Sequence, residues 1–284
     1  MSEPLAKASR SAGPVRFAEV AWGARRDTIE YCWVDGAAAG APLLLFLHEG
    51  LGSLAMWKVF PEQLCAASGC RGLVFSRWGY GASSPRPAAL RWSPHFMHEQ
   101  AREFLPAFLE TLGIDAARTP PWIYGHSDGA SIALIHAASF PERVAGLIVA
   151  APHVFVEPVS VASIARTRAA YLAGDLRTRL ARYHADPDSA FWGWNDIWLD
   201  PAFRTWNIEA LLPSIRCPLL AVQGIDDEYG TLEQIERIGA AVAGAELLKL
   251  PDCAHAPHRD QCDSLIAAVT DFLGRHPRPG AAIP

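Results

Sequence analysis

The sequence predicts an α/β fold: a mostly parallel, eight-stranded sheet with helices on both faces and an inserted helical cap. Three observations carry that expectation. Short runs rich in β-branched and aromatic residues recur between Gly, Pro and Asp. Stretches with apolar residues three and four apart alternate with them. One long stretch, 152–213, breaks the alternation. Alternating strands and helices imply a parallel sheet covered on both faces.

Taken in order, Phe17 to Trp22 and Thr28 to Val34 read as an opening hairpin. Six further strands are expected at Leu43 to Leu47, Gly72 to Phe75, Trp122 to Tyr124, Val144 to Ala150, Leu219 to Gln223 and Glu246 to Leu250. Helical periodicity runs from His98 to Leu112, Ala130 to Ala138, Leu232 to Val242 and Asp263 to Phe272. Within 152–213 the pattern is helical from Ser163 to Ala173 and from Leu176 to His184, and the stretch is too long for an ordinary crossover. The expected organisation is therefore a core domain of residues 15–151 and 214–275, a cap of 152–213, and flexible ends at 1–14 and 276–284.

Composition narrows the function. Half of the 284 residues are hydrophobic and 19% are charged, which fits a chain that buries a large core. A formal charge of -5 offers no basic footprint for nucleic acid. The opening MSEPLAKASRSAGP lacks the apolar core of a secretory signal, and no apolar run approaches a membrane span. A cytoplasmic protein with no membrane partner is expected. The six cysteines are scattered without a C-x-x-C pair, the pattern of reduced, mostly buried thiols.

In open parallel sheets, ligands sit beyond the carboxyl ends of the strands, so the residues just after each strand are where chemistry belongs. After the strand at Trp122 comes Gly125-His126-Ser127-Asp128-Gly129, a G-x-S-x-G leading into a helix. Small residues flank a serine in this way when the chain must turn sharply and leave the hydroxyl exposed. A serine hydroxyl is a weak nucleophile, so it needs a base and a carboxylate to orient that base. The acidic turn Asp226-Asp227-Glu228 follows the strand at Leu219, and Pro251-Asp252-Cys253-Ala254-His255-Ala256-Pro257-His258 follows the last strand. His255 is preferred over His258, which reads equally as a structural histidine. A tetrahedral intermediate also needs two N–H donors. Asp128, directly after the serine, supplies one, and Gly50 in the loop His48-Glu49-Gly50-Leu51-Gly52-Ser53 is expected to supply the other.

With these residues in view, the sequence resembles the α/β-hydrolase superfamily from about Phe17 to Phe272. The His48 loop resembles the family's oxyanion loop, with Glu49 where a glycine is expected. Arg77 to Ser83 resembles the structural G-x-G-x-S turn after strand four, with Ser76 where an aspartate is common. Gly224-x-x-Asp227 matches the spacing of the acid loop, which selects Asp227 over Asp226, and His255 matches the family histidine. The resemblance implies a capped hydrolase with a Ser127–His255–Asp227 triad, an acyl-enzyme intermediate, and neither metal nor organic cofactor. The serine at the elbow sets the chain apart from the epoxide hydrolases and haloalkane dehalogenases, which carry aspartate there.

Four of the ten tryptophans, Trp192, Trp194, Trp198 and Trp206, fall within fifteen residues beside Phe191. Trp192, Trp194 and Trp198 are the expected lining of an apolar or aromatic pocket, although such rings also pack a cap onto its domain. Arg166, Arg168 and Arg177 read as a solvated helix face. The expected substrate is a small carboxylic ester, lactone or thioester. Two other readings stand beside it: C–C cleavage of a vinylogous diketone from aromatic-ring breakdown, and a ligand-binding receptor on the same fold.

Overall fold

A computed structural model of the chain describes residues 13–35, 38 and 40–276. Eight strands form one sheet in the order β1-β2-β4-β3-β5-β6-β7-β8. They are β1 (Arg16–Trp22), β2 (Arg25–Val34), β3 (Leu43–Leu47), β4 (Arg71–Phe75), β5 (Trp122–His126), β6 (Gly146–Ala150), β7 (Leu219–Gly224) and β8 (Glu246–Leu250). The pairings β1–β2 and β2–β4 are antiparallel and the other five are parallel.

The side-chain alternation of a strand explains how the core divides. Leu45, Leu47, Ile123, Leu147 and Val149 point to one face and join one apolar cluster, while Leu44, Phe46, Trp122, Tyr124 and Ile148 point to the other. Strands buried on both faces need near-continuous apolar runs, and LLLFL at β3 and GLIVA at β6 are such runs. The first face is covered by α2 (Phe96–Glu99), α3 (Leu105–Thr111), α4 (Asp128–Ser139) and α8 (Glu233–Ala241). The second is covered by α1 (Phe60–Ser68) and by α10 (Cys262–Arg275), which the short α9 (Pro257–Asp260) precedes. A wider π turn at Gln100–Phe104 joins α2 to α3. Neither α1 nor the short α9 is announced by the sequence pattern.

Between β6 and β7 the chain leaves the sheet for α5 (Pro158–Ala173), α6 (Leu176–Leu180) and α7 (Pro187–Leu199), followed by two 3-10 turns at Pro201–Thr205 and Glu209–Ser214. Helix α7 goes beyond the sequence expectation, because its run of aromatic residues does not alternate cleanly. It starts where the Asp186 carboxylate accepts the Ser189 N–H at 2.9 Å, with Pro187 at the first helical position. Phe191, Trp194 and Trp198 of α7 pack into the same cluster as the first sheet face.

The expectation of flexible ends falls almost wholly outside the described residues. Where it overlaps them, the Gly13 N–H donates to the Trp33 carbonyl at 2.8 Å. No described helix is long and apolar enough to cross a membrane. Cys32, Cys65 and Cys253 are buried, and burial pushes the Cys32 and Cys253 thiols up to about 11, away from the reactive thiolate.

Candidate active site

Ser127 stands between β5 and α4 with φ 53° and ψ -120°, a conformation costly for any residue with a Cβ. Its neighbours make the turn possible. A Cβ on Gly125 would stand 2.6 Å from the Ala130 Cα and the Gly129 carbonyl oxygen, and one on Gly129 would stand 2.1 Å from the Leu47 carbonyl oxygen. Both glycines of the pentapeptide are therefore required by close backbone approach.

The three residues expected to act together meet, although they are far apart in sequence. His255 Nε2 lies 3.0 Å from Ser127 Oγ, and His255 Nδ1 lies 2.8 and 3.0 Å from the two Asp227 carboxylate oxygens. Asp227, its side chain 1% exposed, also accepts from the Tyr229 N–H at 2.8 Å and from Gln223 Nε2 at 3.1 Å. Burial alone would raise the carboxyl pKa of Asp227, but the facing imidazole and the Tyr229 N–H hold it below the usual carboxylate range. Burial likewise disfavours the His255 imidazolium, and the Asp227 charge outweighs it, so the His255 pKa is raised. Asp226 is exposed, and its N–H donates to the Cys253 carbonyl at 3.0 Å, which ties the acid loop to the histidine loop. His258 takes another place, packed against Trp57, Phe60 and His126, and burial lowers its pKa to about 3.

The expected oxyanion donors sit in loops of defined orientation. Asp128 heads α4, so its N–H belongs to the first turn, where no intrahelical acceptor exists. The Glu49 carbonyl accepts from His48 Nδ1–H at 2.7 Å, Arg77 Nη2 at 2.9 Å and the Gly52 N–H at 3.1 Å. In a planar trans peptide the following N–H points the opposite way, so these three donors fix the direction of the Gly50 N–H. Gly50 lies under the Trp194 indole: a Cβ there would come within 2.2 Å of the ring.

Trp198, one turn beyond Trp194 on α7, donates its indole N–H to the buried Asp128 carboxylate at 3.1 Å. Burial pushes the Asp128 carboxyl up to about 6, opposed by the Arg77 guanidinium 4.0 Å from its other oxygen. Trp192, two residues from Trp194, faces another way and packs on Tyr171 and Phe191 with the Arg168 guanidinium 5.3 Å above its ring. The reason is helical spacing: residues 194 and 198 share a face, and 192 does not.

Several residues of the site were not singled out from sequence. Arg77, expected to belong to a purely structural turn, is 1% exposed and joins the Glu49 carbonyl to Gln100 while facing Asp128. Glu30 of β2 supplies the carboxylate for the turn after β4, accepting from Ser76 Oγ and from the Ala82 N–H at 2.8 Å. His153, after β6, stands with its ring 4.9 Å from Trp198 and 5.9 Å from His255, and burial lowers its pKa to about 3. His126, the variable residue inside the G-x-S-x-G, has no signal beyond its place there. Glu49 had one, as the acid standing where a glycine is expected. Among the described residues, no cluster of His, Cys, Asp and Glu is arranged to hold a metal ion.

The fold agrees with what this chain is similar to. The protein resembles in fold a hydrolase from Pseudomonas aeruginosa PA01, at 22% identity and TM-score 0.71 over 92% of this chain and 99% of that one. A thermophilic esterase from Thermogutta terrifontis, in a malate-bound structure, matches at 20% identity and TM-score 0.69 over 93% and 100%. The enol-lactonase from Burkholderia xenovorans LB400 matches at 22% identity and TM-score 0.67 over 87% and 97%. The sequence profile of the alpha/beta hydrolase family matches residues 44–268, most of the chain and every strand from β4 to β8, and the protein belongs to that family.

Proposed function

We propose that the protein is a serine hydrolase that opens a small carboxylic ester, lactone or thioester through an acyl-enzyme. One observation carries this reading: a single imidazole, His255, bridges Ser127 Oγ at 3.0 Å and the Asp227 carboxylate at 2.8 Å. In that arrangement Asp227 holds the proton on Nδ1, leaving Nε2 free to accept the serine proton as Oγ attacks the carbonyl carbon. The developing oxyanion is stabilised by the N–H groups of Gly50 and Asp128, each worth about 3 kcal/mol of barrier. The imidazolium then gives its proton to the leaving group. Water, deprotonated by the same imidazole, attacks the acyl carbon and regenerates Ser127.

The stretch 152–213 acts in this reading as a cap. Trp194 and Trp198 form the roof over the two donor loops, which suits an acyl group that is small or flat and apolar. The test is a fluorophosphonate probe with the adduct mapped by mass spectrometry, run beside p-nitrophenyl acetate and butyrate with Ser127→Ala as control. Labelling confined to Ser127 together with ester turnover supports the proposal. Turnover of a ring-fission diketone with negligible esterase activity would move the reaction to C–C cleavage, and wild-type activity in Ser127→Ala would end the mechanism.

A further inference from the structure

Beside the Ser127–His255–Asp227 array lies a second carboxylate–imidazole pair. His126 Nε2 is 2.7 Å from the His255 carbonyl oxygen. A carbonyl only accepts, so Nε2 carries a proton. The other ring nitrogen, Nδ1, faces the Glu49 carboxylate at 3.4 Å. With Nε2 protonated, a neutral His126 would point a bare lone pair at an ionised carboxylate; a proton on Nδ1 removes that conflict.

We propose that Glu49 holds His126 as an imidazolium, and that this couple is a positioning device for His255, acting through its backbone carbonyl. The inference rests on the reading of His255 as the base. The backbone of His255 is then gripped at both ends, its carbonyl by His126 and its N–H by the Glu228 carboxylate at 3.3 Å. Its side chain spans Asp227 and Ser127.

The surroundings leave His126 as the cation that Glu49 requires. His48 donates Nδ1–H to the Glu49 carbonyl and accepts the Arg77 N–H on Nε2 at 2.9 Å, so its ring is neutral. His258, 5.0 Å from the His126 ring, and His153, near His255, are both lowered to about 3 by burial. Arg77 spends its guanidinium on the Glu49 carbonyl and Gln100, not on the carboxylate. Of the other titratable groups nearby, His184 accepts the Gly81 N–H on Nδ1 and donates from Nε2 to the Leu51 carbonyl, so its ring is neutral too; Arg259 bears on His258, and Asp128, Asp227 and Glu228 are acids. Burial would raise the Glu49 carboxyl pKa, but the bond and charge of His126 bring it well below the usual carboxylate range. The His126 side chain is 2% exposed and that of Glu49 22%, so the pair is shielded but reached by solvent protons.

The test reads the proton directly. In protein labelled with 15N in its histidine rings, His126 of the wild type is expected to show both nitrogens protonated at neutral pH. In Glu49→Gln, the amide can donate to a bare Nδ1, so His126 should become neutral with its proton on Nε2. A bare Nδ1 in the wild type overturns the proposal, and this readout needs no turnover, so it stands or falls apart from the ester-hydrolase reading. The consequence is read by the rate of Ser127 phosphonylation in variants whose melting temperatures match the wild type. Glu49→Ala is expected to slow it about tenfold, with Glu49→Gln recovering most of the rate. A wild-type rate in Glu49→Ala, or no recovery in Glu49→Gln, overturns the positioning role.

Discussion

The two carboxylate–imidazole couples of this site share a motif and differ in what lies beyond the imidazole. Asp227 approaches Nδ1 of His255 at 2.8 Å, and the far nitrogen of that ring meets a hydroxyl. Glu49 approaches Nδ1 of His126 at 3.4 Å, and the far nitrogen of that ring meets a carbonyl. A hydroxyl has a proton to give, so the first ring is suited to act as a base. A carbonyl has none, so the second ring only donates and holds. The chemistry of a histidine is decided by the group opposite its free nitrogen as much as by the acid behind it.

The comparison breaks most easily at its catalytic arm. Asp227→Asn should lower kcat on order of 10³–10⁴-fold, because an amide no longer enforces the proton on Nδ1. Exposed Asp226→Asn should stay within a few-fold, and the reverse ranking in steady-state kinetics would reassign the acid. Next comes the donor loop that Glu49 shares with Gly50. Gly50→Ala drives a methyl into the Trp194 indole and should lower kcat by about 10², the loss expected for one oxyanion donor. Gly50→Ala/Trp194→Ala should recover part of that loss; no recovery would mean that the roof is not what the methyl strikes.

The pH profile sharpens the contrast further. His255 must be neutral to accept the serine proton, and Asp227 raises its pKa above the ordinary 6.5. In the free enzyme, kcat/KM should therefore fall about tenfold per pH unit below that raised value, with a midpoint above 6.5. A midpoint below 6.5 would show that Asp227 does not hold the ring. The smallest effect is expected at the roof. Trp198→Phe keeps an aromatic side chain but removes the N–H donated to Asp128, at a cost of about 2 kcal/mol in stability by denaturant titration, with kcat changed only a few-fold.

The residues legible in advance share a physical trait: each announces itself through its immediate neighbours in the chain. The elbow shows as two glycines around a serine because the backbone there has no room for a Cβ. Asp227 and His255 show because they directly follow strands, where an open parallel sheet presents its loops. Strand positions were legible within a few residues because doubly buried strands require apolar runs. Helices α1, α7 and the one-turn α9 were missed, the first lying in a stretch where no helical pattern was read, the second masked by aromatic crowding and the third too short to show a period.

What the sequence by itself determined was the alternation of strands and helices, the carboxyl edge as the place for chemistry, and the identity of one serine, one acid and one histidine to look for. The tertiary structure alone decided which distant groups meet. Arg77 reaches across to the Glu49 carbonyl, Glu30 supplies the acid that Ser76 lacks, Trp198 meets Asp128, and His126 turns to the carbonyl of His255. These contacts join residues 28 to 129 positions apart. No local pattern encodes such pairings, because they arise from the order in which the strands assemble into the sheet and from the side on which the insertion between β6 and β7 settles.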